Sequence, residues 1–277
     1  SPDLHKSFYG LTYTPQNAQY PGCGASLGDV IEDYKVLWQL TPRVRLYGMD
    51  CDVADLSIQA VDLLKVDISL VLTIWVDKNA ETYDRQVKTL MDTLKKHGSK
   101  RIIGVSVGNE ALYREDVTAS DLSSRLNKIR TQLSAAGYSG IPVYTTDLAN
   151  NYNDQLATAS DALLGNIHPF FAGVSVSGAA QWSWNFFRDQ FGKFSKPAII
   201  SETGWPTRGK AMNSAVPSVQ ALQQYVDDFV CASNQRAIQY YFFEAFDAVW
   251  KTDKDDVEKS WGLLDKNRKP KVKMPKC

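Results

Sequence analysis

The sequence predicts an α/β fold, a single-domain (β/α)8 TIM barrel that takes up residues 1–277. Short runs rich in β-branched and aromatic residues recur along the chain, and amphipathic segments with apolar residues at helical spacing separate them. The length of 277 residues is close to the roughly 250 residues typical of such a barrel. A doubly wound open sheet is the alternative, because a strand count does not show whether the sheet closes.

The predicted strands and helices alternate along the chain. The third strand is nearly all apolar, as expected when helices cover both faces of a parallel sheet. Thr118 supplies an N-terminal cap before one helix, and Gly98 and Gly137 stand at helix ends. The predicted strands are residues 8–13, 44–47, 69–75, 102–107, 142–145, 163–168, 198–201 and 238–243, and the clearest helical segments are 30–40, 84–97, 120–136 and 219–232.

Composition and charge exclude several classes of partner. Lys and Arg together number 31 and so do Asp and Glu, so the chain has no general attraction to nucleic acid or to anionic membranes. No apolar run approaches the 18 or so residues needed to span a bilayer. We therefore expect no nucleic-acid partner and no membrane span. The sequence does not reveal the oligomeric state, and a monomer is the working expectation.

The four cysteines are widely spaced and form no CxxC pair. With only three histidines in the chain, they do not indicate a zinc site. Two disulfides are compatible with the count, although three pairings are open and buried free thiols are an alternative. We favour Cys23–Cys51, which would join loops after neighbouring strands, and Cys231–Cys277, which would attach the C-terminal tail to a helix.

Two glutamates each follow a short β-prone run: Glu110 after the predicted fourth strand and Glu202 after the seventh. A parallel barrel carries its chemistry at the carboxyl ends of its strands. Two carboxyl groups that face one cavity are the minimum set of groups for cleaving a glycosidic bond. Either glutamate alone could simply begin a helix, where its charge would favour the positive end of the dipole. Their place on the same rim favours a catalytic pair.

Two other motifs do not fit their usual functions. Gly104-Val105-Ser106-Val107-Gly108 matches the GxSxG motif of serine hydrolases, but Ser106 lies inside the β-run rather than on the turn after it. Gly22-Cys23-Gly24-Ala25-Ser26-Leu27-Gly28 resembles a dinucleotide-binding loop, but Leu27 stands where the third glycine is required. The three histidines are too scattered for a metal site. We therefore expect no cofactor.

The segments around the two glutamates are more specific than the glutamates alone. Val107-Gly108-Asn109-Glu110 and Ile200-Ser201-Glu202-Thr203-Gly204-Trp205-Pro206 resemble the two signature segments of glycoside hydrolase family 17, barrel enzymes that act on β-1,3-glucans. Asn166-Ile167-His168-Pro169-Phe170-Phe171 resembles the sixth-strand segment of that family. Phe243-Glu244-Ala245-Phe246-Asp247, with Trp250-Lys251, resembles its eighth-strand segment. The resemblance covers residues 9–262.

This resemblance implies a retaining mechanism in which Glu110 is the general acid/base and Glu202 is the nucleophile. Glu110 would have to stay protonated, and burial or a nearby ionised Glu202 would raise its pKa for that purpose. Asn109 would hydrogen-bond the sugar beside the cleaved bond. Glu244 and Lys251 match family positions that line the same cavity, although an ordinary surface ion pair is the alternative for these two.

Aromatic and polar residues at predicted strand ends would bind the sugar. The C–H face of a pyranose packs on an aromatic ring, whereas its hydroxyls need polar partners. Any one of the aromatic residues could belong to the core instead. Trp182 and Trp184 cannot share one helical face, so at least one is expected to face the groove. The predicted sugar-binding residues at these strand ends are Tyr13, Tyr47, Asp50, Trp75, Tyr113, Asp147, His168, Phe171 and Trp205.

The sequence thus predicts a secreted or cell-wall enzyme that acts on β-1,3-glucan through a covalent glycosyl-enzyme intermediate. The Glu-Ala-Phe-Asp and Glu-Thr-Gly-Trp-Pro segments resemble the fungal, cell-wall-remodelling branch of the family. Little room is left between the predicted sixth and seventh strands for the extra subdomain of plant members. We therefore favour a β-1,3-glucanosyltransferase with some endo-β-1,3-glucanase activity. A retaining β-1,4-glycanase and a sugar-binding barrel without catalysis are the alternatives.

Overall fold

The computed structural model describes residues 3–277, in which eight parallel strands form a closed barrel. Each strand pairs with the next along the chain, and β8 pairs with β1 to close the sheet. The predicted barrel is confirmed, and closure excludes the open-sheet alternative. The strands are β1 (Gly10–Thr12), β2 (Arg43–Arg45), β3 (Ser69–Ile74), β4 (Ile102–Asn109), β5 (Val143–Leu148), β6 (Leu163–Asn166), β7 (Ala198–Thr203) and β8 (Tyr240–Phe242).

Helices connect the strands and cover the outside of the barrel. The Thr118 hydroxyl accepts a hydrogen bond from the Asp121 amide, and Gly98 adopts a φ of +76° at a helix end, so both predicted helix boundaries are confirmed. No helix within residues 3–277 combines the length and apolar character needed to cross a membrane. The helices are α1 (Leu27–Trp38), α2 (Val53–Leu64), α3 (Ala80–His97), α4 (Ala119–Ala135), α5 (Asp154–Ala159), α6 (Val176–Phe191) and α7 (Val219–Gln235).

The interior of the barrel is filled below the strand ends. Val71, Tyr144, Leu164 and Tyr241 are all buried and belong to one cluster, although they come from strands that are not all neighbours. Such residues can meet only inside the barrel. Gly104 makes room for this cluster, because a Cβ at that position would lie 1.9 Å from the Tyr144 hydroxyl oxygen. A filled interior leaves the rim as the place where a ligand can bind.

Strand pairing is irregular beside both glutamates. The register shifts between Ser106 and Asn109 where β4 pairs with β5, and again near the carboxyl ends of the β6–β7 and β7–β8 pairs. Such bulges re-aim side chains and are frequent next to active sites. Glu202 lies within β7, which extends two residues beyond its predicted end. Glu110 follows β4 with a φ of +56°, in the left-handed region that residues other than glycine rarely adopt.

Both predicted disulfides are present. The Cα atoms of Cys23 and Cys51 lie 4.7 Å apart, and those of Cys231 and Cys277 lie 5.5 Å apart. No free cysteine remains in the part of the chain that the structure describes. The first disulfide joins the segments that follow β1 and β2, and the second attaches the C-terminal residue to α7. The predicted pairing is confirmed, and the free-thiol alternative is wrong.

Candidate active site

A cavity of about 670 Å³ opens at the carboxyl ends of the strands and contains both Glu110 and Glu202. A larger concavity of about 890 Å³ lies outside the barrel between α4 and α5. That outer concavity is lined mainly by small polar side chains, and its only lining carboxylate is Asp154. It therefore offers neither a carboxylate pair nor an aromatic surface, so we take the cavity at the strand ends as the candidate active site.

The structure brings most of the predicted site residues together in this cavity. The rings of Tyr113 and Phe171 are the most open, with 60% and 45% of their surface exposed. Trp182 faces the cavity, while Trp184 is buried and donates from Nε1 to the Ser233 hydroxyl. The predicted residues that line the cavity are Tyr47, Trp75, Asn109, Glu110, Tyr113, His168, Phe171, Glu202, Glu244 and Lys251.

Two predicted aromatic ligands belong to the core instead. Tyr13 is 1% exposed, packs on Tyr34 of α1, and donates from its hydroxyl to Asp33 Oδ2 at 2.5 Å. Trp205 is fully buried and its Nε1 donates to the backbone carbonyl of Val216. Both rings turn toward the helix layer, so neither residue lines the cavity. The prediction that they bind sugar is corrected accordingly.

Two predicted acidic ligands have structural partners. Arg85 holds both carboxylate oxygens of Asp50, with distances of 2.8 and 2.9 Å, and Asp50 does not line the cavity. Asp147 is buried and accepts a hydrogen bond from the Leu112 amide at 2.9 Å. Because Leu112 lies in the loop that carries Glu110, Asp147 positions that loop rather than binding a hydroxyl. The sugar-binding prediction is corrected for both residues.

Glu202 is held as a carboxylate by three donors. The Tyr47 hydroxyl donates to Oε2 at 2.6 Å, His168 Nε2 donates to Oε1 at 2.9 Å, and Arg45 Nη1 lies 3.2 Å from Oε2. Burial opposes ionisation, but the hydrogen bond from His168 and the charge of Arg45 outweigh it and lower the pKa of Glu202 to about 2. Glu202 therefore carries a negative charge in neutral and mildly acidic solution.

Arg45 is a site residue that the sequence analysis missed. It is fully buried, and its Nη2 donates to Asn109 Oδ1 at 2.7 Å while Nη1 contacts Glu202. One guanidinium thus connects the ends of β4 and β7. The available signal was an arginine between Val44 and Leu46 in a barrel strand, where an inward-facing charge needs an internal partner.

Glu110 has the opposite electrostatic environment. Burial raises its pKa, and the negative charge of Glu202 raises it further, against a smaller lowering by the hydrogen bond from Asn166. Asn166 Nδ2 donates to Glu110 Oε1 at 3.1 Å and to Asn109 Oδ1 at 3.2 Å. Asn166 was quoted in the sixth-strand segment but was given no role. Two carboxyl groups whose pKa values move in opposite directions are the mark of an acid and nucleophile pair.

Glu244 and Lys251 line the cavity but do not pair with each other. The Lys251 ammonium lies 3.8 Å from Glu258 and above the ring of Phe243. Glu244 is 4% exposed, and its Oε2 has no hydrogen-bond partner among the described residues. Burial raises the pKa of Glu244 to about 8, although the nearby charge of Lys251 opposes this change. The expected influence of Lys251 is therefore present, but burial outweighs it.

The cavity also has walls formed by residues outside the set of predicted sugar-binding residues. Trp182 and Phe186 lie one turn apart on α6, and their rings stack with centroids 4.9 Å apart. Phe243 and Trp261 both pack edge-on against His168 and so hold its ring beside Glu202. The remaining unassigned lining residues are Thr14, Leu148, Asn150, Ile167, Trp250 and Glu258.

Comparison with known proteins identifies the family of this chain. The family model described as the BtgE/BtgC glycoside hydrolase domain matches residues 10–262. The Aspergillus flavus protein named probable glucan endo-1,3-beta-glucosidase btgC is 37% identical over 307 residues, covering 100% of this chain and 45% of that protein. The Emericella nidulans glucan endo-1,3-beta-glucosidase btgC is 36% identical over 304 residues, covering 99% of this chain and 47% of that protein. The chain thus spans about half the length of these curated relatives.

Among solved structures, the glycoside hydrolase family 17 β-1,3-glucanosyltransferase from Rhizomucor miehei has a TM-score of 0.86 and 28% identity, covering 97% of each chain. An active-site mutant of the Rhizomucor miehei β-1,3-glucanosyltransferase, in complex with laminaritriose, has a TM-score of 0.87 and 28% identity, covering 98% of this chain and 99% of that chain. The predicted resemblance to glycoside hydrolase family 17 is confirmed. The chain belongs to the BtgE/BtgC glycoside hydrolase domain family.

Proposed function

We propose that residues 1–277 form one catalytic domain that acts on β-1,3-glucan with retention of anomeric configuration. Glu202 is the nucleophile and Glu110 is the general acid/base. One observation carries this proposal: the two carboxyl groups occupy a single cavity, and their surroundings lower the pKa of Glu202 to about 2 and raise that of Glu110. The named relatives and the structure with laminaritriose support β-1,3-glucan as the substrate.

In the first step, Glu202 attacks the anomeric carbon and the glycosidic C–O bond breaks. Glu110 transfers its proton to the leaving oxygen, and the sugar becomes an ester of Glu202. Esterification removes the negative charge that raises the pKa of Glu110, so Glu110 becomes a stronger acid and stays deprotonated. The same residue can then act as the base of the second step.

In the second step, the hydroxyl of an acceptor replaces Glu202 at the anomeric carbon and gives its proton to Glu110. We propose that a sugar hydroxyl is the main acceptor and water the lesser one. The stacked Trp182 and Phe186 rings, with Tyr113, supply an apolar wall on the β4–β6 side of the cavity where an acceptor sugar can pack. The name of the Rhizomucor miehei relative supports transfer.

Asn109 helps to orient the substrate in this proposal. Its Oδ1 already accepts hydrogen bonds from Arg45 and Asn166, which fixes the orientation of the amide. The Nδ2 group is then the part of Asn109 that donates to a sugar hydroxyl beside the cleaved bond.

We further propose that the enzyme is secreted, because two disulfides persist best in an oxidising compartment. In this proposal it works as a monomer on cell-wall glucan.

Azide rescue tests the roles of the two glutamates. Glu202→Ala should lower turnover about a thousandfold or more. Azide should restore it and give the α-glycosyl azide, because azide attacks from the side that the nucleophile occupied. Glu110→Ala, assayed with an activated leaving group, should give the β-glycosyl azide. Exposed Glu32 on α1 is the control, and Glu32→Ala should retain activity. Unchanged turnover in Glu202→Ala, or a β-azide from it, would contradict the assignment.

Product analysis tests the acceptor. Incubation with a short β-1,3-linked glucose oligosaccharide should give products longer than the starting material. The yield of these longer products should rise with substrate concentration. The same enzyme should leave β-1,4-linked oligosaccharides unchanged. If only shorter products appear across the whole concentration range, water is the acceptor and the transfer proposal is wrong.

A further inference from the structure

One carboxyl group in the cavity has no part in the two steps above. Glu244 lies two residues after β8 and is buried, and its Oε2 has no hydrogen-bond partner among the described residues. A buried polar atom without a partner destabilises the fold, because it gives up its bonds to water and gains none in return. Because Glu244 lines the cavity, a ligand bound there can supply the hydrogen-bond partner that this carboxyl group lacks.

The backbone holds Glu244 in this position. Its amide donates to the Trp261 carbonyl at 3.2 Å, and its own carbonyl accepts from the Leu263 amide at 2.9 Å. The backbone is thus hydrogen-bonded on both sides of the Glu244 Cα atom. The side chain consequently stays at the cavity wall instead of turning toward solvent.

The charged groups around Glu244 do not support a negative charge there. Glu202, Asp247 and Glu258 are carboxylates that face it, and Lys251 is the one cation among the groups that affect it most. Lys251 lies against Glu258, and Asp247 takes its own partner, Lys271, at 2.7 Å. A buried carboxylate with no donor of its own would be strongly disfavoured. The neutral acid is the form that this environment allows, and burial raises the pKa of Glu244 to about 8.

We propose that Glu244 is a specificity-determining residue that binds the substrate as a neutral carboxylic acid, donating a hydrogen bond from its O–H group to a sugar hydroxyl on the Glu202 side of the cavity. A carboxylic acid has one donor and retains acceptor capacity, and a sugar hydroxyl has the same pair of functions, so the two are complementary. This inference rests on the proposed function, because it assumes that a glucan occupies the cavity.

The proposal predicts a pH dependence of binding that is separate from catalysis. Above about pH 8 Glu244 loses its proton and gains a charge close to Glu202 and Glu258. The donor disappears at the same time. The KM for the oligosaccharide should therefore rise as the pH increases through about 8, while kcat changes less.

Three variants separate binding from structure. Glu244→Gln retains a donor and an acceptor but does not titrate, so it should keep most of the affinity at pH 7 and abolish the rise of KM above pH 8. Glu244→Ala should weaken binding about tenfold at pH 7, as expected for one lost hydrogen bond. Asp33→Asn is the matched control, since it alters a buried carboxyl that pairs with Arg268, does not line the cavity and is not among the groups that act on Glu244. It should lower stability and leave KM unchanged.

Direct binding then identifies the hydroxyl. The binding of a β-1,3-linked oligosaccharide and its monodeoxy analogues is measured by calorimetry in the inactive Glu202→Ala background. When Glu244 is present, one analogue should bind more weakly than the unmodified oligosaccharide. When Glu244 is replaced by alanine, that analogue and the unmodified oligosaccharide should bind equally. Equal affinity of the Glu244→Ala and parent proteins for the unmodified oligosaccharide would overturn this inference alone. No binding by either protein would overturn the proposed function as well.

Discussion

The Tyr47 hydroxyl provides the sharpest test of how this site keeps Glu202 ionised. It donates to Glu202 Oε2 at 2.6 Å, which is shorter than the contacts from His168 and Arg45. Tyr47→Phe removes this one donor and keeps the ring, which packs edge-on against Phe243. The variant should therefore change the ionisation of Glu202 with little change in the shape of the cavity.

The expected size of the effect follows from the pKa of Glu202. A pKa of about 2, against the ordinary 4.5, corresponds to about 3 kcal/mol in favour of the ionised form. A hydrogen bond to a charged group contributes about 1.5–3 kcal/mol. Its loss should therefore raise the pKa of Glu202 by roughly one to two pH units. Because the folded-state pKa is depressed, ionised Glu202 stabilises the fold above the unfolded-state pKa. This stabilisation is lost as the pH falls toward the folded-state pKa. In Tyr47→Phe the folded-state pKa is higher, so the loss should be complete at a higher pH.

The assay is the pH profile of kcat/KM for release of a leaving group from a β-1,3-linked oligosaccharide. The acidic limb should move up by about one to two pH units in Tyr47→Phe, while the alkaline limb stays in place. Tryptophan fluorescence at each pH shows whether the protein is still folded. Tyr138→Phe is the control, because that hydroxyl donates to the Leu94 carbonyl outside the barrel. An acidic limb within about 0.3 pH units of the parent enzyme would refute the reasoning.

Three further variants test the fold around the site, each by equilibrium chemical unfolding. Arg45→Met should lower the free energy of unfolding by about 3–5 kcal/mol at pH 7, because it leaves a buried carboxylate without its cation; a loss below about 1 kcal/mol would show that the pair contributes little. Cys231→Ser should cost about 4 kcal/mol, since it opens a disulfide that closes 46 residues, and equal stability with and without reductant in the parent would contradict this. Gly204→Ala should cost about 1–3 kcal/mol, because its Cβ would lie 2.0 Å from the backbone oxygen of Phe243, just after β8. Gly178→Ala on α6 is the control, since its Cβ meets nothing within 4 Å and the change should be neutral or stabilising.

Most of the fold was predictable because its elements carry local signals. β-Branched runs, amphipathic periodicity and capping residues such as Thr118 depend on neighbours in sequence, and all eight strands were found within a few residues of their observed bounds. The short helix Asp154–Ala159 and the helices α2 and α6 were not named. The strand containing Glu202 extends beyond its predicted end, because the bulges that carry Glu202 into the cavity depend on pairing with β6 and β8.

The site was predictable where a residue and its neighbours form a specific segment. Glu110, Asn109 and Glu202 stand in such segments, and the structure places all three at the cavity. Tyr13 and Trp205 also stand at or just beyond the ends of predicted strands, but their rings point into the helix layer. A strand end shows where a residue lies and not which way its side chain turns, so equal sequence signals led to opposite environments.

The sequence by itself determined that two glutamates would stand at one rim of a parallel barrel, because strand order and strand ends are encoded locally. It could not determine their protonation states. Those depend on Arg45 and Tyr47 from β2 and its loop, on His168 after β6, and on the burial that closing the barrel creates. Charge and desolvation act through space, between residues more than 100 positions apart in the cases of Arg45 and Tyr47. Only the tertiary structure therefore moved the pKa values of the two carboxyl groups in opposite directions.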